Sequence, residues 1–310
     1  MPALICGSLA YDNIMVFPGR FKDHILPDKI HMLSVSFLVP SLRRNFGGCA
    51  GNVAYSLKLL GGEGAPMGVV GHDFAAYREW MQRHGIDQTY VKLAEQEFTA
   101  QCFITTDLDD NQITAFHPGA MGQSHIQAVP ANAGFTLGFI SPDGRDGMVQ
   151  HARQFAAAGI PFIFDPGQGL PMFNGEELLQ FVESATWVIV NDYESQLLCE
   201  RTQRSCEELA RTVQALIVTR GGEGSTVYAQ GRRIEVPVVK ARVVNDPTGC
   251  GDAYRAGIAY GLMKGMDWET TARIGSLIGA IKIESHGPQS HSFTSSEFAD
   301  RFKEVFGYRF

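Results

Sequence analysis

Between residues 137 and 219, four short apolar runs alternate with segments of helical periodicity. The runs are Leu137–Ile140, Pro161–Phe164, Trp187–Val190 and Ala215–Thr219. The segments between them are Met148–Ala158, Gly175–Glu183, and Glu194–Leu198 with Cys206–Val213. Strand, helix, strand at this spacing predicts an α/β fold: a mainly parallel central sheet covered by helices on both faces. Ligands of such sheets bind at the C-terminal ends of the strands. The residues just past each run are therefore the first functional candidates: Pro142-Asp143, Asp165-Pro166-Gly167-Gln168, Asn191-Asp192-Tyr193-Glu194 and Arg220-Gly221-Gly222.

The N-terminal third reads differently. Leu4–Leu9 has the character of a buried strand, and Val53–Leu60 that of a helix following Gly47-Gly48. About thirty residues between them lack helical periodicity and are rich in Phe, His and Pro. Thr99–Phe116 alternates apolar and polar residues around the turn-like Asp109-Asp110-Asn111. Two β-type inserts, about 13–46 and 96–120, predict a small sheet standing off one large domain, a lid.

Composition narrows the partners. The chain has 310 residues, 45% of them hydrophobic, which is enough for a sizeable core. Its net charge of −7, with no run of Lys or Arg longer than two residues, argues against nucleic acid and anionic membrane as partners. Cys6, Cys49, Cys102, Cys199, Cys206 and Cys250 form no CxxC pair and read as reduced thiols of a cytoplasmic protein. The start of the chain lacks the basic leader of a signal peptide, and no apolar stretch is long enough to span a bilayer.

The densest chemistry lies in Asn245-Asp246-Pro247-Thr248-Gly249-Cys250-Gly251-Asp252-Ala253-Tyr254-Arg255-Ala256-Gly257. The Ala-rich continuation has helical spacing, so the glycines sit where a helix begins. Exposed amides at a helix start bind anions. A carboxylate at that place, Asp252, suits a base that takes a proton from a hydroxyl attacking phosphorus. The plainer alternative is a helix-terminal acid. The helix dipole favours the ionised form, so a weak base is expected. Pro247 has no N–H, which leaves the donors to Gly249 through Asp252.

Four other features add to this. Asp12, past the first strand, can accept two hydrogen bonds from vicinal hydroxyls or simply end a turn. Phe46-Gly47-Gly48-Cys49-Ala50-Gly51-Asn52 offers close backbone approach, with Asn52 either a sugar ligand or a helix cap. Asn191-x-x-Glu194 places a carboxylate one helical turn past a strand, fit for a hydrated Mg²⁺ or for capping. Thr219-Arg220-Gly221-Gly222-Glu223-Gly224 ends a strand in glycines whose amides suit nucleotide phosphates or a plain turn.

The order and spacing of these features resemble the ribokinase-like (PfkB) carbohydrate kinase family over essentially the whole chain. Gly47-Gly48 with Asn52 is similar to the family's first signature, and Asp246 to Asp252 to its second. Asn191-x-x-Glu194 is similar to its magnesium motif, and Thr219-x-Gly221-x-x-Gly224 to its nucleotide loop. Asp12-Asn13, Ser36-Phe37-Leu38, Phe164–Gln168 and Asn111–Met121 resemble the bacterial adenosine kinase-like and nucleoside kinase branch. Pro247 and Cys250 stand where the family more often has Thr or Ala.

The resemblance implies a three-layer α/β/α fold with a β-sheet lid. It also implies transfer of the ATP γ-phosphate to the 5′-hydroxyl of adenosine or a related purine nucleoside. Asp252 is then the base, and Gly249, Cys250 and Gly251 form the anion hole. Asp12, Gly48 and Asn52 grip the ribose. Asn191, Thr219, Gly221 and Gly224 meet the nucleotide, and Glu194 orients Mg²⁺ waters. Activation by a monovalent cation, known in some relatives, would use Asp246 and is left open, as is a homodimer formed by lids of two chains.

Other readings remain. A nicotinamide-dependent enzyme would want G-x-G-x-x-G after the first strand, where Gly7 stands alone. A non-catalytic nucleoside-binding relative would share the fold, but usually without the base and glycines. A sugar or sugar-phosphate kinase would converge Arg or Lys on its phosphate, with Arg43, Arg44, Arg145 and Arg255 available. Phe17, Phe37, Leu38, Phe116 and Met121 instead suit an apolar slot for a base, or a lid core.

Overall fold

Strand β1 (Ala3–Cys6) shows how the layers arise. Its four residues are buried. Ala3 and Ile5 enter one apolar cluster, while Leu4 and Cys6 enter another. Side chains alternate along a strand, so one that is apolar throughout must be covered on both faces. The computed structural model describes residues 2–25, 34–109 and 111–310.

The chain continues through β2 (Ala10–Val16), β3 (Ser41–Gly47), α1 (Cys49–Leu59), β4 (Gly64–Gly71), α2 (Ala75–Arg83) and β5 (Val91–Ala94). Next come β6 (Ala100–Thr106), β7 (Gln112–His117), β8 (Leu137–Ile140), α3 (Arg145–Ala158), β9 (Phe162–Phe164), α4 (Gly175–Ser184) and β10 (Trp187–Asn191). It ends with α5 (Asp192–Thr202), α6 (Cys206–Ala210), β11 (Ala215–Thr219), β12 (Ser225–Ala229), β13 (Arg232–Val236), α7 (Cys250–Met263), α8 (Trp268–Ile283) and α9 (Ser295–Phe306).

Among the described residues the larger sheet has nine strands, ordered β13-β12-β11-β10-β9-β8-β1-β4-β5. Every neighbouring pair from β5 to β11 is parallel, and the β12–β13 hairpin closes the far edge antiparallel. Val53, Leu57, Tyr77, Met81 and Ile258 of α1, α2 and α7 cover one face. Met148, Phe155, Leu178, Phe181, Leu198 and Leu209 of α3 to α6 cover the other. The expected α/β/α layering with a mainly parallel sheet is borne out.

A second sheet has the order β3-β2-β6-β7. It is mixed: β2 runs antiparallel to β3 and parallel to β6, and β7 returns antiparallel. Asp12 pairs with Asn45 and with Cys102, which in turn pairs with Phe116, so these four share one face. Residues 26–33 and Asp110, inside the two inserts, lie outside the described residues.

In the N-terminal third two boundaries moved by three residues or more. The first strand ends at Cys6 rather than Leu9, because Ser8 N donates to Pro142 O and Ala10 already pairs in the second sheet. Helix α1 begins at Cys49, four residues before the apolar run, since Ser8 O and Oγ accept from the Ala50 and Cys49 amides. Among the described residues no helix is long and apolar enough to cross a membrane.

Candidate active site

The starts of α1 and α7 meet in front of the C-terminal ends of β1, β8, β9 and β10. Gly249 caps α7 in the left-handed region, at φ 80°. The Cys250 amide is engaged in a turn to Pro247 O at 3.1 Å, and the Thr248 amide donates to Asp246 Oδ1 at 2.9 Å. The first bond of the helix runs from the Ala253 amide to Gly249 O. The amides of Gly249, Gly251 and Asp252 have no acceptor among the described residues. The expected anion hole thus changes in membership: Cys250 contributes no free N–H, and Asp252 contributes its own.

Asp252 stands in the first turn of α7, where Asn52 of α1 donates to its Oδ2 at 2.8 Å. The Cys49 thiol, at the start of α1, also reaches the Asp252 carboxylate. Exclusion of water raises the carboxyl to about 6, against the pull of the Arg255 guanidinium and the Asn52 amide. Burial thus acts against the lowering expected at a helix start.

The sequence makes Asn52 either a sugar ligand or a helix cap. Its Nδ2 instead donates to Asp252, and its Oδ1 accepts from Gln289 Nε2 at 3.0 Å. Gln289 is buried and accepts from Trp80 Nε1, while Tyr77 Oη donates to Gly47 O. Gln289 Nε2 also meets Tyr77 Oη at 2.5 Å, so one hydrogen-bond chain links the end of β3 to Asp252. Asn52 thus fixes one oxygen of the Asp252 carboxylate.

Asp12 projects from β2 over Gly47, whose added Cβ would fall 2.4 Å from Asp12 Oδ2. Its carboxyl is raised to about 6, first by burial and then by the negative charges of Asp252 and Asp246. No described residue hydrogen-bonds it, so the carboxylate stays available to a ligand. Gly48 lies beside it, at φ 86°.

Glu194 and Asn191 form the capping box of α5. Glu194 Oε2 accepts from the Asn191 amide at 2.8 Å, Oε1 accepts from Asn191 Nδ2 at 2.9 Å, and Asn191 Oδ1 accepts from the Glu194 amide. The capping alternative is therefore realised for both residues. Glu194 also lies 3.6 Å from Arg255, whose Nε sits 2.5 Å from Asp165 Oδ2. Burial raises both carboxyls, and the Arg255 charge opposes this. Asp165 Oδ1 is buried without any hydrogen-bond partner. Arg255 follows Asp252 by three residues and so shares its helix face, a spacing that would have identified it.

Asn191 and Thr219 are register partners at the ends of β10 and β11. Past them, Gly221 (φ 50°) and Gly224 (φ 89°) turn the chain into β12. Thr219, Gly221 and Gly224 line a cavity of about 650 Å³ that reaches Cys250 and Gly251. Val238, Val244, Ala280 and Ile283 make its wall largely apolar. That wall comes from the loop after β13 and from α8, where no motif marked it.

The four arginines separate. Arg145 pairs with Glu177 and Asp146, and Arg44 donates to Asn13 Oδ1. Arg255 is locked between Asp165 and Glu194, leaving Arg43 exposed on β3. Phe17 and Phe37 pack with Phe21, Leu38 is exposed, and Phe116 stands half-exposed on the Asp12 face.

Known proteins share the sequence and fold of this chain. Residues 11–295 match the model of the pfkB family of carbohydrate kinases. A nucleoside kinase of Methanocaldococcus jannaschii is 32% identical over 274 residues, covering 87% of this chain and 90% of the relative. The structure of Burkholderia thailandensis nucleoside kinase in complex with inosine superposes with a TM-score of 0.91 at 51% identity, over 99% of both chains. Its complex with ADP-inosine gives 0.88 at 52% identity, over 99% of this chain and 97% of that one. The anion loop opening α7, the carboxylate within it and the family match over nearly the whole length lead to one assignment: this chain belongs to the pfkB family of carbohydrate kinases.

Proposed function

We propose that this protein is an ATP-dependent nucleoside kinase that transfers the γ-phosphate to the 5′-hydroxyl of a purine nucleoside. The observation that carries this reading is Asp252. It has a raised pKa, it stands beside unengaged amides, and it lies opposite the unpartnered carboxylate of Asp12.

Asp12 accepts the ribose hydroxyls, and Gly48 lets the sugar approach the backbone. The half-exposed Phe116 shares the Asp12 face two strands away, roughly 10 Å, which suits a base lying along the sheet. The adenosine part of ATP fits the apolar cavity behind Thr219, Gly221 and Gly224, with its phosphates directed to the α7 amides. The hydroxyl oxygen attacks phosphorus, its proton passes to Asp252 Oδ1, and the bond to the β-phosphate breaks. The amides of Gly249, Gly251 and Asp252 hold the charge on the transferred group.

Mg²⁺ fits this site as an ion carried by ATP and its waters. Among the described residues no cluster of three or more His, Cys, Asp or Glu side chains forms a metal cage. The buried, unpartnered Asp165 Oδ1 and the nearby Glu194 would face its hydration shell. When bound, the ion supplies charge neutralisation between the phosphates. The four-stranded sheet would act as the lid that excludes water, a competing phosphoryl acceptor.

The test is a panel of adenosine, inosine, other nucleosides, ribose and fructose 6-phosphate. A purine nucleoside should give the highest kcat/KM. A sugar or sugar phosphate ahead of every nucleoside would reject the reading, and ATP consumption with none of them would favour a binding protein.

A further inference from the structure

Lys282, near the end of α8, is fully buried. Its ammonium donates to two main-chain carbonyls, Asp246 O at 2.7 Å and Ser285 O at 3.2 Å. These carbonyls belong to two loops that meet behind the anion site. The Asp246 carboxylate ties the same loops by accepting from the Gly287 amide at 2.8 Å and the Thr248 amide at 2.9 Å. The Asn245 and Asp246 amides add bonds to Ile283 O. Gly249 follows Asp246 by three residues, and Pro288 packs against it, so the ammonium underlies the loop that presents the free amides.

Burying a whole ammonium is costly unless something compensates it. Neutral donors could have closed these two carbonyls. A fixed positive charge does more: it lies in low-dielectric surroundings close behind the place where the transferred phosphoryl group gathers negative charge.

Monovalent cations bind in rings of backbone carbonyls. A monovalent ion coordinated through Asp246, as some family members use, would compete with Lys282 for the same oxygen. The residues present therefore do not fit such an ion. We infer that Lys282 is a positioning residue whose ammonium serves the phosphate-binding loop as a built-in monovalent cation, so that turnover needs no added potassium. The inference rests on the phosphoryl-transfer reading of this loop.

The test uses the full chain. Wild-type turnover is measured in potassium, sodium, ammonium and tetramethylammonium chloride at one ionic strength, and equal rates are expected. Lys282→Ala should lower kcat about ten- to a hundredfold, the scale of a slight misplacement of reacting groups. KM for the nucleoside should hardly move. Ammonium or potassium should restore part of the loss by entering the vacated space, and tetramethylammonium should not. Lys282→Met, which fills that space, should lose kcat without rescue.

Calorimetric nucleoside binding on each variant reports an intact fold. If neither variant folds, the wild-type ion series decides alone. Strong potassium activation of the wild type, wild-type kcat in Lys282→Met, or a Lys282→Ala that no small cation rescues would each overturn the proposal. A wild type with no nucleoside turnover in any salt would instead reject the kinase reading itself.

Discussion

At the scale of single residues, the site is a contest between desolvation and pairing. Asp252 and Asp12 are both raised to about 6, because each loses water and neither has a cation bonded to it directly. A general base must be ionised to act, so kcat/KM should be full above this range and fall as pH drops through about 6. The limb belongs to the interacting carboxylates together. A pH profile of the wild-type enzyme measures it, and a limb near the ordinary carboxylate value would contradict the desolvated site. Asp252→Asn keeps the shape and the Asn52 contact but accepts no proton. We expect kcat to fall by at least about a hundredfold, with nucleoside and ATP affinities within a few-fold. If Asp252 were only a helix-terminal acid, turnover would stay near normal while the melting temperature dropped modestly.

At the scale of elements, the hinge between β3 and α1 explains why glycine recurs there. Gly48 has φ 86°, and an added Cβ would fall 2.5 Å from Ser8 O and 2.7 Å from the Ala10 amide nitrogen. No flexible side chain can give way, since both atoms are backbone. Gly48→Ala should cost at least about 2 kcal/mol, as the conformation alone accounts for roughly 1–3 kcal/mol. It should also lower kcat, because Asn52 rides on the displaced helix. Gly61→Ala is the control: its φ is 80°, but nothing lies within 4 Å of the new Cβ. Equal losses of melting temperature in the two variants would show that the clash at Gly48 is absorbed without cost.

At the scale of the whole molecule, the chain crosses between two sheets four times, and the first two crossings deliver residues of the site. β1 leaves the large sheet at Cys6 and delivers Asp12 on β2; β3 returns through Gly47 to α1 and Asn52. β4 and α2 carry Tyr77, which closes the hydrogen-bond chain from Gly47 through Gln289 to Asn52 and Asp252. Gln289 comes from the loop after α8, more than 200 residues from its partners in sequence. The end of β3 in the small sheet is thereby joined by hydrogen bonds to the Asp252 carboxylate.

The sequence by itself determined the layering, because a buried parallel strand needs apolar residues on both faces and its helix needs a 3.6-residue period. Both are local patterns that residues 137 to 219 display openly. It also located the anion loop and Asp252, since a glycine pair at a helix start constrains the backbone whatever surrounds it. The tertiary structure alone decided what those residues touch. That Cys250 lends no amide and that Asn52 serves Asp252 rather than standing free follow from acceptors a sequence pattern does not reveal. The pairing of Arg255 with Asp165, the clamp of Lys282 on Asp246 and the apolar wall of the 650 Å³ cavity join segments far apart in the chain. Burial depends on those distant neighbours, and burial is what raises the Asp252 carboxyl.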